Sequence, residues 1–239
     1  MRAFLLSIAL LCGAAAATAD PVVFQDTIAQ RTLACTACHG KQGRAGPDGY
    51  YPRIAGKPLG YLYAQLLNFR DGRRHYGLMA GLLEPLSDDY LFEIARYFSG
   101  LDLPYPPPPP ADAPPEVLQR GRVLALQGDP DRRLPACIDC HGQALTGVRP
   151  AVPGLLGLPR DYLNAQLGAW RTGQRRAFAP DCMAEVARRL SPQELAAVTA
   201  WLAAQALPRD PHPVAVPEPL PKRPLECGAA PLPVRESAR

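Results

Sequence analysis

Leu91, Ile94, Ala95 and Phe98 recur three and four positions apart, the spacing of one helical face. Ser87, Asp88 and Asp89 stand just ahead of them, and acid in a first turn suits the helix dipole. A matching face of Leu195, Val198 and Leu202 follows Ser191-Pro192-Gln193-Glu194, which reads as a capping box with proline at the first helical position. Further helices are predicted over 22–34, 59–70, 115–127 and 160–171. No run alternates as a strand does, so the chain reads as mostly helical.

The pattern is stated twice. "GKPLGYLYAQLLNFRDGRR" (56–74) matches "GLPRDYLNAQLGAWRTGQR" (157–175) at a constant offset of 101. Gly56, Pro58, Tyr61, Leu62, Ala64, Gln65, Leu66, Arg70, Gly72 and Arg74 return as Gly157, Pro159, Tyr162, Leu163, Ala165, Gln166, Leu167, Arg171, Gly173 and Arg175. Two tandem domains of one fold are expected, over 20–103 and 115–206. Between them "LPYPPPPPADAPP" (103–115) has few core-forming side chains. The linker, 104–114, favours stiff polyproline; at ~3.1 Å per residue this stretch spans up to roughly 35–40 Å. Residues 207–239 form a proline-rich tail.

Hydrophobic residues make up 47% of the 239 positions, enough for packed cores, but aromatics only 7%. Two small domains so built call for something else to fill or staple them. The net charge of +4 is too small to point to nucleic acid. At the N-terminus Arg2, an apolar run to Ala17 and Ala17-Thr18-Ala19 form the three regions of an export signal, with cleavage expected after Ala19. The run is short for a membrane span, which takes about 20 residues. Cys12 leaves with the signal. Six cysteines remain, bound for an oxidising compartment where they serve as disulfides or ligands.

Four of them stand in "CTACHG" (35–40) and "CIDCHG" (137–142). Cys-x-x-Cys-His is the attachment signature of c-type haem. Two thiols on one helical turn reach the two vinyl groups of a porphyrin, and the next residue points its imidazole at the iron. Two covalent haem c groups are therefore expected, on Cys35, Cys38, Cys137 and Cys140, with His39 and His141 as metal ligands. A four-thiolate zinc site would leave both histidines without a role, and a thioredoxin-like motif would need a βαβ setting. Past the signal, one methionine stands in each half: Met79, 41 residues after Cys38, and Met183, 43 after Cys140. Their matched places, in loops ahead of the last helices, point to the sixth iron ligands. Met/His ligation raises the potential, as in electron-transfer cytochromes. His75 competes with Met79, but its partner in the repeat is Arg176, which cannot ligate. His212 falls in the tail and is expected at the surface. Pro52 and Pro153 match each other in the repeat, and a shared task of orienting the ligand histidines is one reading.

These residues resemble the tandem dihaem class I cytochromes c of the cytochrome c4 type. The likeness rests on both Cys motifs, "YPRIAG", "VPGLLG", the Tyr-Leu-x-Ala-Gln-Leu helices and the two methionine segments. It implies an all-α protein of two class I cytochrome c domains, each a small helical fold around a covalent haem. It implies a periplasmic electron carrier with His/Met ligation at both haems and the ligand-orienting carbonyls supplied by Pro52 and Pro153. Its partners would be periplasmic or membrane-bound redox proteins, with at most peripheral membrane association and no nucleic acid. The proline-rich linker and the tail depart from that pattern.

Cys182 and Cys227 are left over. As an even pair in an exported chain they suggest a disulfide tying the tail to the Met183 segment. The alternative makes Cys182 a thiolate haem ligand in a sulfur-oxidising dihaem enzyme, resembling a thiosulfate dehydrogenase. A third reading is the cytochrome subunit of a dehydrogenase complex. No carboxylate pair or nucleophile constellation stands out beyond Cys182, so a carrier rather than an enzyme is the expectation.

Overall fold

The amphipathic face read around Leu91 forms a helix whose start is specified by a side-chain cap. The computed structural model describes residues 25–46, 49–216 and 224–233. Ser87 Oγ accepts the Tyr90 N–H at 3.3 Å, and Asp88 and Asp89 occupy the first turn. In order, the first half runs α1 (Ile28–Arg31), α2 (Leu33–His39), α3 (Leu59–Arg70), α4 (Gly77–Leu83) and α5 (Asp88–Ser99). The second runs α6 (Pro115–Gln127), α7 (Ile138–His141), β1 (Gly147–Val148), β2 (Val152–Pro153), α8 (Arg160–Arg171), α9 (Cys182–Arg189) and α10 (Pro192–Ala203).

Three predicted helices have the expected bounds. The lead-in helix of the first half, expected over 22–34, does not: residues 22–24 lie outside the described ones, and the rest starts at Ile28 and breaks at Thr32, whose hydroxyl bonds back to the Ile28 and Ala29 carbonyls. The β1–β2 hairpin is two residues long in each strand, too short to show as alternation. Both methionine segments, expected as loops, are short helices, α4 and α9.

Each half has its own core. Leu62, Tyr63 and Leu67 of α3 meet Leu91, Ile94 and Phe98 of α5. In the second half Leu163 of α8 joins Leu195, Val198 and Leu202 of α10 and Leu124 of α6. The capping box at α10 is present in full. Its Glu194 also receives Arg132 and Arg120. Burial alone would raise this carboxyl, but those arginines and the Ser191 N–H pull it down to about 2. The helix start is thus charged and fixed at any ordinary pH. Helix α6 crosses α10 closely enough that a Cβ on Gly121 would stand 2.1 Å from the Ala197 carbonyl oxygen.

The halves pack directly on one another. Arg74 and Arg175 pair as an antiparallel bridge, flanked by His75 N–H to Gln174 O at 2.8 Å and Arg176 N–H to Arg73 O at 2.6 Å. The Gly60 N–H at the start of α3 donates to Pro150 O at 2.8 Å. The proline-rich segment is extended but does not hold the halves apart. Arg53 donates to the Leu103 and Pro104 carbonyls and stacks on Tyr105 at 3.9 Å, while Arg160 donates to Asp112 O at 2.6 Å. Among the described residues no helix is long and apolar enough to cross a membrane.

Candidate haem centres

Helix α2 carries Cys35 and Cys38 three positions apart, hence on one face, and ends on His39. Helix α7 repeats this with Cys140 and His141, Cys137 standing at its N-cap. Each histidine is followed by a glycine with positive φ, Gly40 at +73° and Gly142 at +84°. Any Cβ on Gly40 would lie 2.0 Å from the Ala45 oxygen, so the chain can leave the ligand helix this way only with glycine there.

The two rings are held alike. His39 Nδ1 lies 2.8 Å from Pro52 O, and His141 Nδ1 lies 2.7 Å from Pro153 O. A carbonyl can only accept, so Nδ1 carries the proton and donates it. Nε2 keeps its lone pair, the state in which imidazole binds a metal. Both rings are buried, 8% and 7% exposed. Burial lowers the pKa of each, outweighing the carbonyl's opposite effect. A neutral, Nδ1-protonated imidazole is therefore the resting form of both.

Burial also pushes the Cys35 thiol up and the Cys137 thiol to about 12. An uncharged thioether has no such penalty to meet. The one disulfide among the described residues joins Cys182 to Cys227 and takes none of the motif cysteines. Met79, on α4, is half-buried against the first core together with Tyr76 and Cys35. Met183, on α9, is half-buried at the matching place in the second half. His75 is exposed and engages the other half through its backbone N–H. His212 is exposed too, and Asp210 and Asp102, at 2.7 and 3.2 Å, raise its pKa.

Sequence reading missed a cluster between the halves. Arg74 donates to Gln65 Oε1 at 2.9 Å and Gln166 Oε1 at 2.6 Å; Arg175 donates to Gln166 Oε1 at 2.8 Å and Gln65 Oε1 at 2.9 Å. Tyr162 OH and Tyr61 OH complete the set at 3.3 and 3.5 Å. Every member has its repeat partner in the cluster. Both guanidiniums are buried, and neither pairs with a carboxylate among the described residues. Burial and the neighbouring Arg74 charge lower the Arg175 pKa. At Tyr162 burial acts upward, yet the two arginine charges prevail and lower the phenol. Two buried cations side by side call for anions, since an unpaired charge away from water is costly. A haem brings two propionate carboxylates with its apolar plane. The donor set and this cationic seam fit two such groups.

The chain is 41% identical over 174 residues to the thiosulfate dehydrogenase electron acceptor of Thiomonas intermedia, covering 72% of this chain and 79% of that one. It is 32% identical over 207 residues to cytochrome c4 of Pseudomonas aeruginosa, covering 84% and 98%. Among solved structures, reduced cytochrome c4 from Pseudomonas stutzeri superposes with a TM-score of 0.63 at 30% identity, over 74% of this chain and 96% of that one. The thiosulfate dehydrogenase TsdBA from Marichromatium purpuratum superposes with a TM-score of 0.65 at 35% identity, over 73% of this chain. The chain spans only 37% of that longer one. No family model matches the chain. A helical fold with a doubled Cys-x-x-Cys-His site and these likenesses defines a dihaem c-type cytochrome, a carrier of electrons. The chain belongs to the cytochrome c4 family.

Proposed function

We propose that this chain is an exported carrier that takes single electrons from a sulfur-oxidising dehydrogenase and passes them to a second redox protein. Two domains, 20–103 and 115–206, would each hold one haem, joined by the linker 104–114 and followed by the tail 207–239. Thioether links would run from Cys35 and Cys38 to one haem and from Cys137 and Cys140 to the other. His39 with Met79, and His141 with Met183, would be the axial pairs. A bound haem supplies the one-electron chemistry; the protein orients it, buries it and sets its potential. The observation that carries the reading is the matched imidazole geometry, with both Nδ1 atoms donating to a proline carbonyl. The export signal, 1–19, lies outside the described residues; with it the site of action is the periplasm.

The choice of donor is supported by the 41% identical relative named as a thiosulfate dehydrogenase electron acceptor. An enzyme using Cys182 as a thiolate ligand is less well supported, because that sulfur is bonded to Cys227. The reading as a subunit keeps specific support from the superposition on part of a longer thiosulfate dehydrogenase chain. Mixing the oxidised protein anaerobically with thiosulfate should leave it oxidised. Adding a catalytic amount of a thiosulfate dehydrogenase should then reduce both haems. Reduction by thiosulfate alone would make the chain an enzyme, and no reduction with the dehydrogenase present would remove it as that enzyme's acceptor.

A further inference from the structure

Among the described residues the tail is joined by hydrogen bonds and a disulfide to both ligand-bearing segments of the second centre, and by neither to α2 or α4 of the first. At one end, the Val214 N–H donates to Gly147 O at 3.0 Å and Val214 O accepts the Arg149 N–H at 2.8 Å. Val214 thereby lies as a parallel bridge beside Val148 of β1. Strand β1 is paired to β2, and β2 contains Pro153, whose carbonyl holds the His141 ring. A Cβ on Gly142, the residue after His141, would sit 3.7 Å from Val214 Cγ2.

At the other end, Cys227 is bonded to Cys182, the neighbour of Met183. The Gly228 N–H donates to Pro180 O at 2.8 Å. The fit there is close: a Cβ on Gly228 would stand 2.3 Å from Ala179 O. Asp181 finishes the turn from within, accepting the Ala177 N–H at 2.7 Å and the Ala184 N–H at 3.1 Å. Past Gly228 the tail's Ala230 packs against the first core, as does Phe178 ahead of α9, so the strap is seated on both halves. Among the described residues the segment around Met79 has no such bond to the tail. Helix α4 has no side-chain cap and no disulfide.

We propose that the tail is a clamp for the axial ligands of the second haem, with Val214, Cys227 and Gly228 as positioning residues that keep His141 and Met183 on the iron. The proposal rests on the reading of Met183 as that ligand. Displacing a methionine from iron requires its segment to swing away. A segment bonded at 182 and hydrogen-bonded at 180 to a seated strap opens less often than a free one. The two haems of this carrier therefore differ in how readily an outside ligand enters. The first yields its methionine easily and the second does not, although their first-sphere donors would be the same.

The test uses the full-length holoprotein in a Met79→Ala background, so that only the second haem contributes a methionine–iron band in the near infrared. Ferric protein is titrated with imidazole, which competes with methionine for the iron. Cys182→Ala/Cys227→Ala together, and separately Gly228→Val, should each raise the imidazole affinity of the second haem by at least about tenfold and weaken the methionine band on warming. Haem content and the His141-ligated visible spectrum should stay as in the parent, which separates loss of the clamp from loss of the fold. Parent-like imidazole affinity in both variants, with the disulfide shown absent in the first, would overturn the clamp. If Met183→Ala leaves the second haem's band in place, the ligand assignment itself is wrong, which is a different failure.

Discussion

Met79→Ala and Met183→Ala should each open one iron to carbon monoxide and lower the potential of that haem alone, by on the order of 100 mV out of the ~0.8 V that axial ligands command. The reason is the donor set on each side. His39 and His141 are alike in tautomer, burial and carbonyl partner, so on the proposed ligation they would give the two irons the same proximal ligand. Each methionine is half-buried on a short helix in its own half, Met79 on α4 and Met183 on α9. Loss of one thioether should thus be felt on one side only. His75→Ala should leave the spectrum unchanged, because His75 is exposed at the seam between the halves. Visible and near-infrared spectra of the three variants, with and without carbon monoxide, decide this. A changed spectrum in His75→Ala with an unchanged one in Met79→Ala would reassign the first iron.

Gly121→Val should be the most damaging single change outside the haem ligands. The first added atom would fall 2.1 Å from the Ala197 carbonyl oxygen and 2.9 Å from Trp201 Cβ. Neither can step aside, since both belong to the backbone or inner stem of α10, which is fixed at its start by a full capping box. The two helices must move apart, and the core between Leu124, Val198 and Leu202 opens with them. A cost of roughly 3 kcal/mol or more is expected, at the upper end for overpacking. Chemical denaturation followed at the second haem should show a lower midpoint, with the first haem's transition less affected. An unaltered midpoint would mean that α6 and α10 do not cross as closely as described.

Much of this architecture was legible because the sequence repeats itself. The two Cys-x-x-Cys-His runs, the helices at 59–70 and 160–171 and the capped last helices all carry local signals. Short-range spacing alone determines them. The disulfide was legible too, as the only even pair left after the haem motifs. The seam between the halves was not read, although its signal was present. Tyr61, Gln65 and Arg74 return as Tyr162, Gln166 and Arg175. A core repeats apolar positions; polar identity at three matched places needs another cause, and the mutual bonds of the two arginines and two glutamines provide it. Helices α4 and α9 escaped because seven or eight residues give too few turns for a periodic face. The seating of the proline-rich linker and tail escaped for another reason. Apart from the disulfide they are held largely through their own backbone, the linker by carbonyls that accept from Arg53 and Arg160, and every residue carries a carbonyl, so composition shows that such a segment is extended but not what it lies on.

The central claim is that one chain carries two electrons, one at each of two similarly ligated haems. A redox titration of the purified protein, followed in the visible haem bands and in the near-infrared methionine–iron band together, tests it directly. Uptake of two electrons per chain, each with one-electron slope, is expected, with the fully oxidised protein showing a methionine–iron band in proportion to two haems. Uptake of only one electron per chain, or a band in proportion to one haem or none, would contradict the account.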